Sequence, residues 1–252
     1  MSEPLLEVRD LRVSHSSTVL DGVSFTIQAR STAGLFGESG SGKTTLALVI
    51  LGLLAAERYR ISGSVRLRGR ELVGLGEREL RQVRGAAISM VFQDPMLALN
   101  PVLQAAVQVR EAMRAHAGDA PVEPLFELVG LDPSRRMLRA YPHQLSGGER
   151  QRVTIAQALA CRPSLVIADE PFTALDVLRV VELAKLFEDL KRKTGTSFLI
   201  ISHSPSILAR LADEVIVLHS GRIVEQGPPA RVFRSPADPY TIGVMEALAD
   251  GR

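Results

Sequence analysis

The sequence has one cysteine, Cys161, no tryptophan and only 4% aromatic residues. A single thiol cannot close an internal disulfide, so the fold must rest on its packed core, and the cysteine count fits a reducing compartment. Cys161 itself reads as a small buried hydrophobe. Excess charge of one sign is also missing. Thirty Lys and Arg against 28 Asp and Glu leave a formal charge of +2, which indicates no bulk electrostatic grip on nucleic acid. Long apolar runs are absent as well. The longest, residues 46–56, is about half of the ~20 residues that a membrane span needs. The first ten residues are acidic and broken by Pro4, and lack the basic-then-apolar order of a signal peptide. A soluble chain is expected, free to dock on a membrane protein. Lysine is scarce too: Lys43, Lys185, Lys191 and Lys193 stand against 26 arginines. A lone lysine in the first 184 residues is therefore conspicuous.

What is present is an ordinary globular balance, 46% hydrophobic and 23% charged over 252 residues. It fits one large domain or two intimate subdomains. The first 30 residues read as strands, with Asp21-Gly22 as a turn signal. Residues 33–36 form a short apolar run ending in Gly37, and a helical pattern runs from 44 to 54. Further strands are expected at 62–69, 86–92, 165–168 and 197–201, and a hairpin at 214–218 and 222–225. Helices are expected at 77–83, 146–160, 180–193, 206–212 and from about 241. Residues 94–141 differ: five prolines separate helical segments at 102–116 and 124–129, which predicts an α-helical insertion. Apolar strands alternating with helices predict an α/β fold with a mostly parallel sheet covered on both faces.

Gly37-Glu38-Ser39-Gly40-Ser41-Gly42-Lys43-Thr44 matches G-x-x-x-x-G-K-[ST] in full and lies between a strand and a helix. Its glycines let backbone N–H groups turn toward phosphate oxygens, and the helix adds its positive end. Lys43 supplies a point charge for the β- and γ-phosphates, and the Thr44 hydroxyl is placed to ligate Mg²⁺. The apolar run 165–168 ends in Asp169-Glu170. Successive strand residues point opposite ways, so the two acids take different tasks: Asp169 suits a Mg²⁺ shell and Glu170 a general base for the attacking water. Leu145-Ser146-Gly147-Gly148-Glu149-Arg150-Gln151-Arg152 opens a helix with Ser146 as N-cap. Its glycines offer a second anion site, so two copies of the chain could hold one nucleotide between them.

This set resembles the ATP-binding subunits of ABC transporters, whose signature motif is LSGGERQR. Lys43 to Gln93 is 50 residues, Ser146 to Asp169 is 23, and Glu170 to His203 is 33. The resemblance covers nearly the whole chain. It implies a P-loop ATPase of ABC type with a core at residues 1–93 and 142–252, an N-terminal antiparallel β subdomain, a helical signature subdomain at 94–141 and a tail from about 228. ATP would be bound by residues 37–44 together with Thr45, with Mg²⁺ on Thr44, Asp169 and Gln93, the last also sensing the attacking water. His203 would contact the γ-phosphate and orient Glu170. Ser146, Gly147, Gly148, Glu149 and Asp176 would serve the nucleotide of a second ATPase subunit, Asp176 from the run Thr173-Ala174-Leu175-Asp176 that crosses between subunits. Two positions depart from the family pattern. Ser204 stands where Asp is common, and His15 stands where an aromatic ring usually stacks on adenine. His116, His143 and His219 show no metal-like clustering.

Three stretches narrow the resemblance: Phe92-Gln93-Asp94-Pro95 with Leu99-Asn100-Pro101; Tyr141-Pro142-His143-Gln144; and the tail containing Ser235-Pro236 and Asp238-Pro239-Tyr240-Thr241. They are similar to the oligopeptide, dipeptide and nickel importer ATPases. This implies a peripheral protein on the cytoplasmic side of the cell membrane. It would pair with a second ATPase, identical or different, and with two membrane permease subunits, and would serve a solute-binding protein indirectly. Peptides and nickel or metal chelates both remain open as cargo. A non-transport ABC ATPase, such as an accessory of a phosphonate-degrading complex, is the alternative.

Overall fold

The computed structural model describes residues 3–249 except Ala56, Ala117 and Ala174. The last residue of the apolar run 46–56, Ala174 of the crossing run, the first two residues and the end of the tail thus lie outside the described residues. The chain divides into two compact units, Met1–Leu80 with Ser197–Arg252, and Arg81–Thr196.

The first unit holds two sheets. Strand Leu6–Ser14 pairs antiparallel with Thr18–Ile27 and with Arg60–Leu67, which continues to Arg70–Glu71. Here Asp21-Gly22 is not a turn. The chain reverses at residues 15–17, and Asp21-Gly22 adds an extra residue inside one strand, between the pairs Leu11↔Val23 and Val13↔Leu20. Such a bulge raises local twist. Arg12 and Arg222 converge on the Asp21 carboxylate there, and Arg222 beside it holds that carboxyl below its usual range. In the other sheet Thr32–Phe36 lies between Ser197–Ile201 and Glu214–His219, parallel to both. Arg222–Gly227 pairs antiparallel at the edge. Every residue of Thr32–Phe36 and Ser197–Ile201 is buried, as expected for strands covered on both faces. Helix Pro205–Leu211 covers one face, with Leu208 against Gly34.

The second unit pairs Ile88–Val91 with Leu165–Asp169 in parallel and is otherwise helical. Helix Gly147–Leu159 buries Val153, Ile155 and Ala156 and packs on helix Ala105–Arg114. The latter starts later than the sequence pattern suggests, because Gln108 ties back to Asn100 and Leu103 and keeps that stretch non-helical. Helix Val177–Thr194 starts earlier than the pattern suggests: Asp176 caps it by accepting from the Arg179 N–H at 3.0 Å. Cys161 is half-buried rather than buried, its thiol donating to the Ala112 carbonyl at 3.1 Å.

Candidate functional site

Space is tight at both ends of the loop between strand Thr32–Phe36 and helix Lys43–Ile50. A Cβ on Gly37 would stand 2.2 Å from the Leu218 carbonyl oxygen. A Cβ on Gly42, where φ is +107°, would stand 2.7 Å from Leu20 Cδ2 and 3.1 Å from the Val19 carbonyl oxygen. Only glycine lets the loop lie this close to its neighbouring strands. Lys43 is 8% exposed, and its ammonium donates to the carbonyls of Gly37 at 2.8 Å and Glu38 at 2.7 Å. Glu38, Ser39, Gly40 and Thr44 are exposed, and Thr45 is half-buried. The Ser41 hydroxyl is buried without a hydrogen-bond partner, an arrangement that calls for a ligand, ion or water. A glycine-rich turn, a held ammonium and a helix N-terminus together make an anion cradle.

The same loop meets the C-terminal helix Pro239–Ala249. The Glu38 N–H donates to the Tyr240 hydroxyl at 3.2 Å. The Tyr240 ring stacks on His219, centroids 3.9 Å apart. Burial pushes the Tyr240 phenol above its ordinary value; the Glu38 N–H opposes this and the Glu38 charge adds to it. His203 is exposed just past strand Ser197–Ile201. The adjoining turn is fixed by Ser202 N–H to the Leu35 carbonyl at 3.1 Å and Ser204 N–H to Ser202 Oγ at 3.1 Å. His15 is exposed in the bend at 15–17, with its ring 5.2 Å from that of Tyr59.

In the second unit Asp169 ends its strand and is 7% exposed. Glu170 leaves the strand with φ +46° and is half-buried, and Thr173 Oγ1 lies 3.5 Å from its Oε2. Among the described residues Asp10, Arg30, Arg68, Arg162 and Ser220 share this left-handed conformation. The two adjacent acids occupy different environments, one sealed and one open. Gln93 is exposed two residues after strand Ile88–Val91, beside Asp94, which caps helix Pro95–Ala98 through the Met96 N–H at 2.8 Å.

Ser146 and Glu149 cap helix Gly147–Leu159 reciprocally. Glu149 N–H donates to Ser146 Oγ at 3.2 Å, and Ser146 N–H to Glu149 Oε2 at 2.7 Å. That backbone bond, with Arg136 at 3.3 Å from Oε1, holds the Glu149 carboxyl below its usual range. The turn before it is set by Tyr141, whose N–H donates to Gln144 Oε1 at 3.0 Å and whose ring stacks on His143. A cavity of about 350 Å³ opens here, lined by Ser146, Gly148, Glu149, Arg136, Arg152 and Arg179. Each of its three guanidinium groups pairs with a carboxylate: Arg136 with Glu149, Arg152 with Glu182 and Arg179 with Asp176.

The family profile described as ABC transporter matches residues 20–173. The chain belongs to the ABC transporter ATPases. It is 42% identical over 255 residues to the oligopeptide transport ATP-binding protein OppD of Salmonella typhimurium, covering 97% of this chain and 76% of that protein. With the OppD of Escherichia coli the identity is 41% over 258 residues, 98% and 76% of the two chains. Among solved structures, cbiO1 of Clostridium perfringens, part of the ABC transporter complex cbiONQ, superimposes with a TM-score of 0.80 at 26% identity, over 93% of this chain and 92% of that one. A dimeric post-hydrolysis structure of the ATP-binding cassette MJ0796, bound to ADP and Pi, gives 0.76 at 25% identity, over 89% and 98%.

Two features of this ABC ATPase escape a reading of its sequence. Arg136 and Arg179 join the signature serine around one cavity although 43 positions separate them. Tyr240 reaches the phosphate loop from 202 residues away. Neither carries a local signal, since both depend on chain segments brought together only by folding.

Proposed function

We propose that this ABC ATPase powers a peptide importer from the cytoplasmic face of the cell membrane. The phosphate loop carries the ATP part of this reading: its ends admit only glycine and its own carbonyls hold Lys43. The peptide part rests on relatives that are oligopeptide transport ATP-binding proteins over nearly this whole chain. They favour peptides over metal chelates and over a phosphonate-complex accessory.

In this reading Lys43 and the loop of residues 37–45 receive the β- and γ-phosphates. The donors Thr44, Gln93 and Asp169 fit Mg²⁺, which takes oxygen ligands and commonly only one or two carboxylates beside the phosphates; the ion would neutralise charge on those phosphates. Among the described residues no three His, Cys, Asp or Glu gather as a metal site. Glu170 accepts the proton of the attacking water, and His203 orients Glu170. His15 stacks on the base. Ser146, Gly147, Gly148, Glu149 and Asp176 face the nucleotide held by a second ATPase subunit, so that ATP closes a two-subunit sandwich. Within residues 94–141, the proposed signature subdomain, Met96, Leu97 and Val102 are exposed, as is Phe92 just before it. This apolar surface suits a helix of a membrane permease. No helix among the described residues is long and apolar enough to cross a membrane, in keeping with a peripheral subunit.

Lys43→Ala tests the reading. Removing the main positive charge should abolish ATP binding in isothermal titration of the purified chain, while circular dichroism still reports a folded protein. Unchanged ATP affinity in that variant would rule the phosphate loop out.

A further inference from the structure

The peptide unit between Gly37 and Glu38 is held from both sides. Its carbonyl, on Gly37, accepts from the Lys43 ammonium at 2.8 Å. Its N–H, on Glu38, donates to the Tyr240 hydroxyl at 3.2 Å. In a trans peptide these two groups point in opposite directions, so Lys43 and Tyr240 fix one plane between them. If the plane rotated, Lys43 would lose one of the two carbonyls that aim it. No side chain can stand at Gly37, because the Leu218 carbonyl fills the space beside it.

Tyr240 is itself delivered by a built segment. The buried Glu225, on strand Arg222–Gly227, accepts from the N–H groups of Ala237 at 3.0 Å and Asp238 at 3.2 Å. Asp238 then accepts from the Tyr240 N–H at 2.9 Å. Thr241 is completely buried, and His219 stacks on the Tyr240 ring. Four separate contacts thus converge to present one hydroxyl to one loop N–H.

We infer that Tyr240 is a positioning residue for the phosphate loop: it orients the Gly37–Glu38 peptide and through it aims Lys43 at the phosphates. This rests on the reading of residues 37–45 as an ATP-binding loop. The C-terminal helix is accordingly part of the apparatus that sets nucleotide affinity.

Tyr240→Phe in the full chain tests it, because Phe keeps the ring on His219 and removes only the hydroxyl. ATP is titrated against wild type, Tyr240→Phe and Lys43→Ala. Melting temperature without nucleotide and amide hydrogen exchange by NMR are measured on each. The expected result for Tyr240→Phe is ATP affinity weakened about three- to tenfold, the range of one hydrogen bond. Exchange should quicken at Glu38 but not at Leu35, and melting temperature should not change. ATP affinity equal to wild type in Tyr240→Phe, with binding lost in Lys43→Ala, overturns the positioning role and leaves the ATP reading intact. A weakened affinity matched by a lowered melting temperature also overturns it, since Tyr240 would then serve stability alone. If wild type fails to bind ATP, the phosphate-loop reading falls and the inference falls with it.

Discussion

A single methyl group is enough to test the phosphate loop. At Gly42 an added Cβ would press on the Leu20 side chain, whose end can shift, and on the Val19 carbonyl, which cannot. The left-handed backbone there adds its own cost. Gly42→Ala is expected to lower stability by about 1–3 kcal/mol in urea denaturation and to weaken ATP binding at least tenfold by titration. Wild-type values in both measurements would mean that the loop relaxes freely around the added methyl. The loop was fully legible in the sequence, since its spacing and the strand and helix around it dictate the turn. Tyr240 was not, because no local pattern encodes a hydrogen bond between positions 38 and 240. Cys161 is not merely a small hydrophobe, because its thiol finds a carbonyl in the last turn of another helix.

At the scale of elements, the start of helix Gly147–Leu159 is the most thoroughly specified. Ser146 and Glu149 satisfy each other's N–H groups, and the sequence shows this in its S-x-x-E spacing. The Glu149 carboxylate binds its proton less readily folded than unfolded, chiefly through the Ser146 N–H. Its stabilisation is therefore complete above the ordinary glutamate value of 4.5 and is lost as pH falls through the lower folded value. Glu149→Gln keeps an acceptor but not the charge. It should cost about 0.5 kcal/mol near neutral pH, and its stability should fall less steeply than wild type between about pH 5 and pH 3. Denaturant titrations at several pH values check this; parallel acid limbs would remove the carboxylate from the account. Other elements were harder to read. Asp21-Gly22 carries a turn signal, yet tertiary pairing runs the strand straight through it as a bulge. The start of helix Val177–Thr194 is hidden in the sequence because Val177 and Leu178, exposed at 79% and 76%, break the amphipathic pattern that marks a helix.

For the whole molecule, the order of motifs was legible but the division into units was not. Residues 81–196 form a unit inserted between two segments of the other, and only contacts formed on folding reveal that. The proposed two-subunit cycle is tested at Glu170. Gln has nearly the same shape but cannot take the proton of the attacking water. Hydrolysis by Glu170→Gln should fall about a hundredfold or more. Losing the charge proposed to face the γ-phosphate should also let the ATP-bound pair persist. Size-exclusion chromatography in Mg-ATP is expected to show doubled mass for this variant, or a stable pair with a second ATPase, and a single subunit in ADP. Turnover above about a tenth of wild type would move the base elsewhere.

The placement of the tyrosines gives the protein an optical property. With no tryptophan and three tyrosines, its ultraviolet emission comes from Tyr59, Tyr141 and Tyr240. Tyr59 lies beside His15, Tyr141 sets the turn before the signature, and Tyr240 touches the phosphate loop. Each of the three places where a nucleotide is proposed to be met thus carries its own light source. Exchanging Tyr59 and Tyr141 for phenylalanine leaves Tyr240 as the one emitter, whose brightness reports on the phosphate loop with no dye attached.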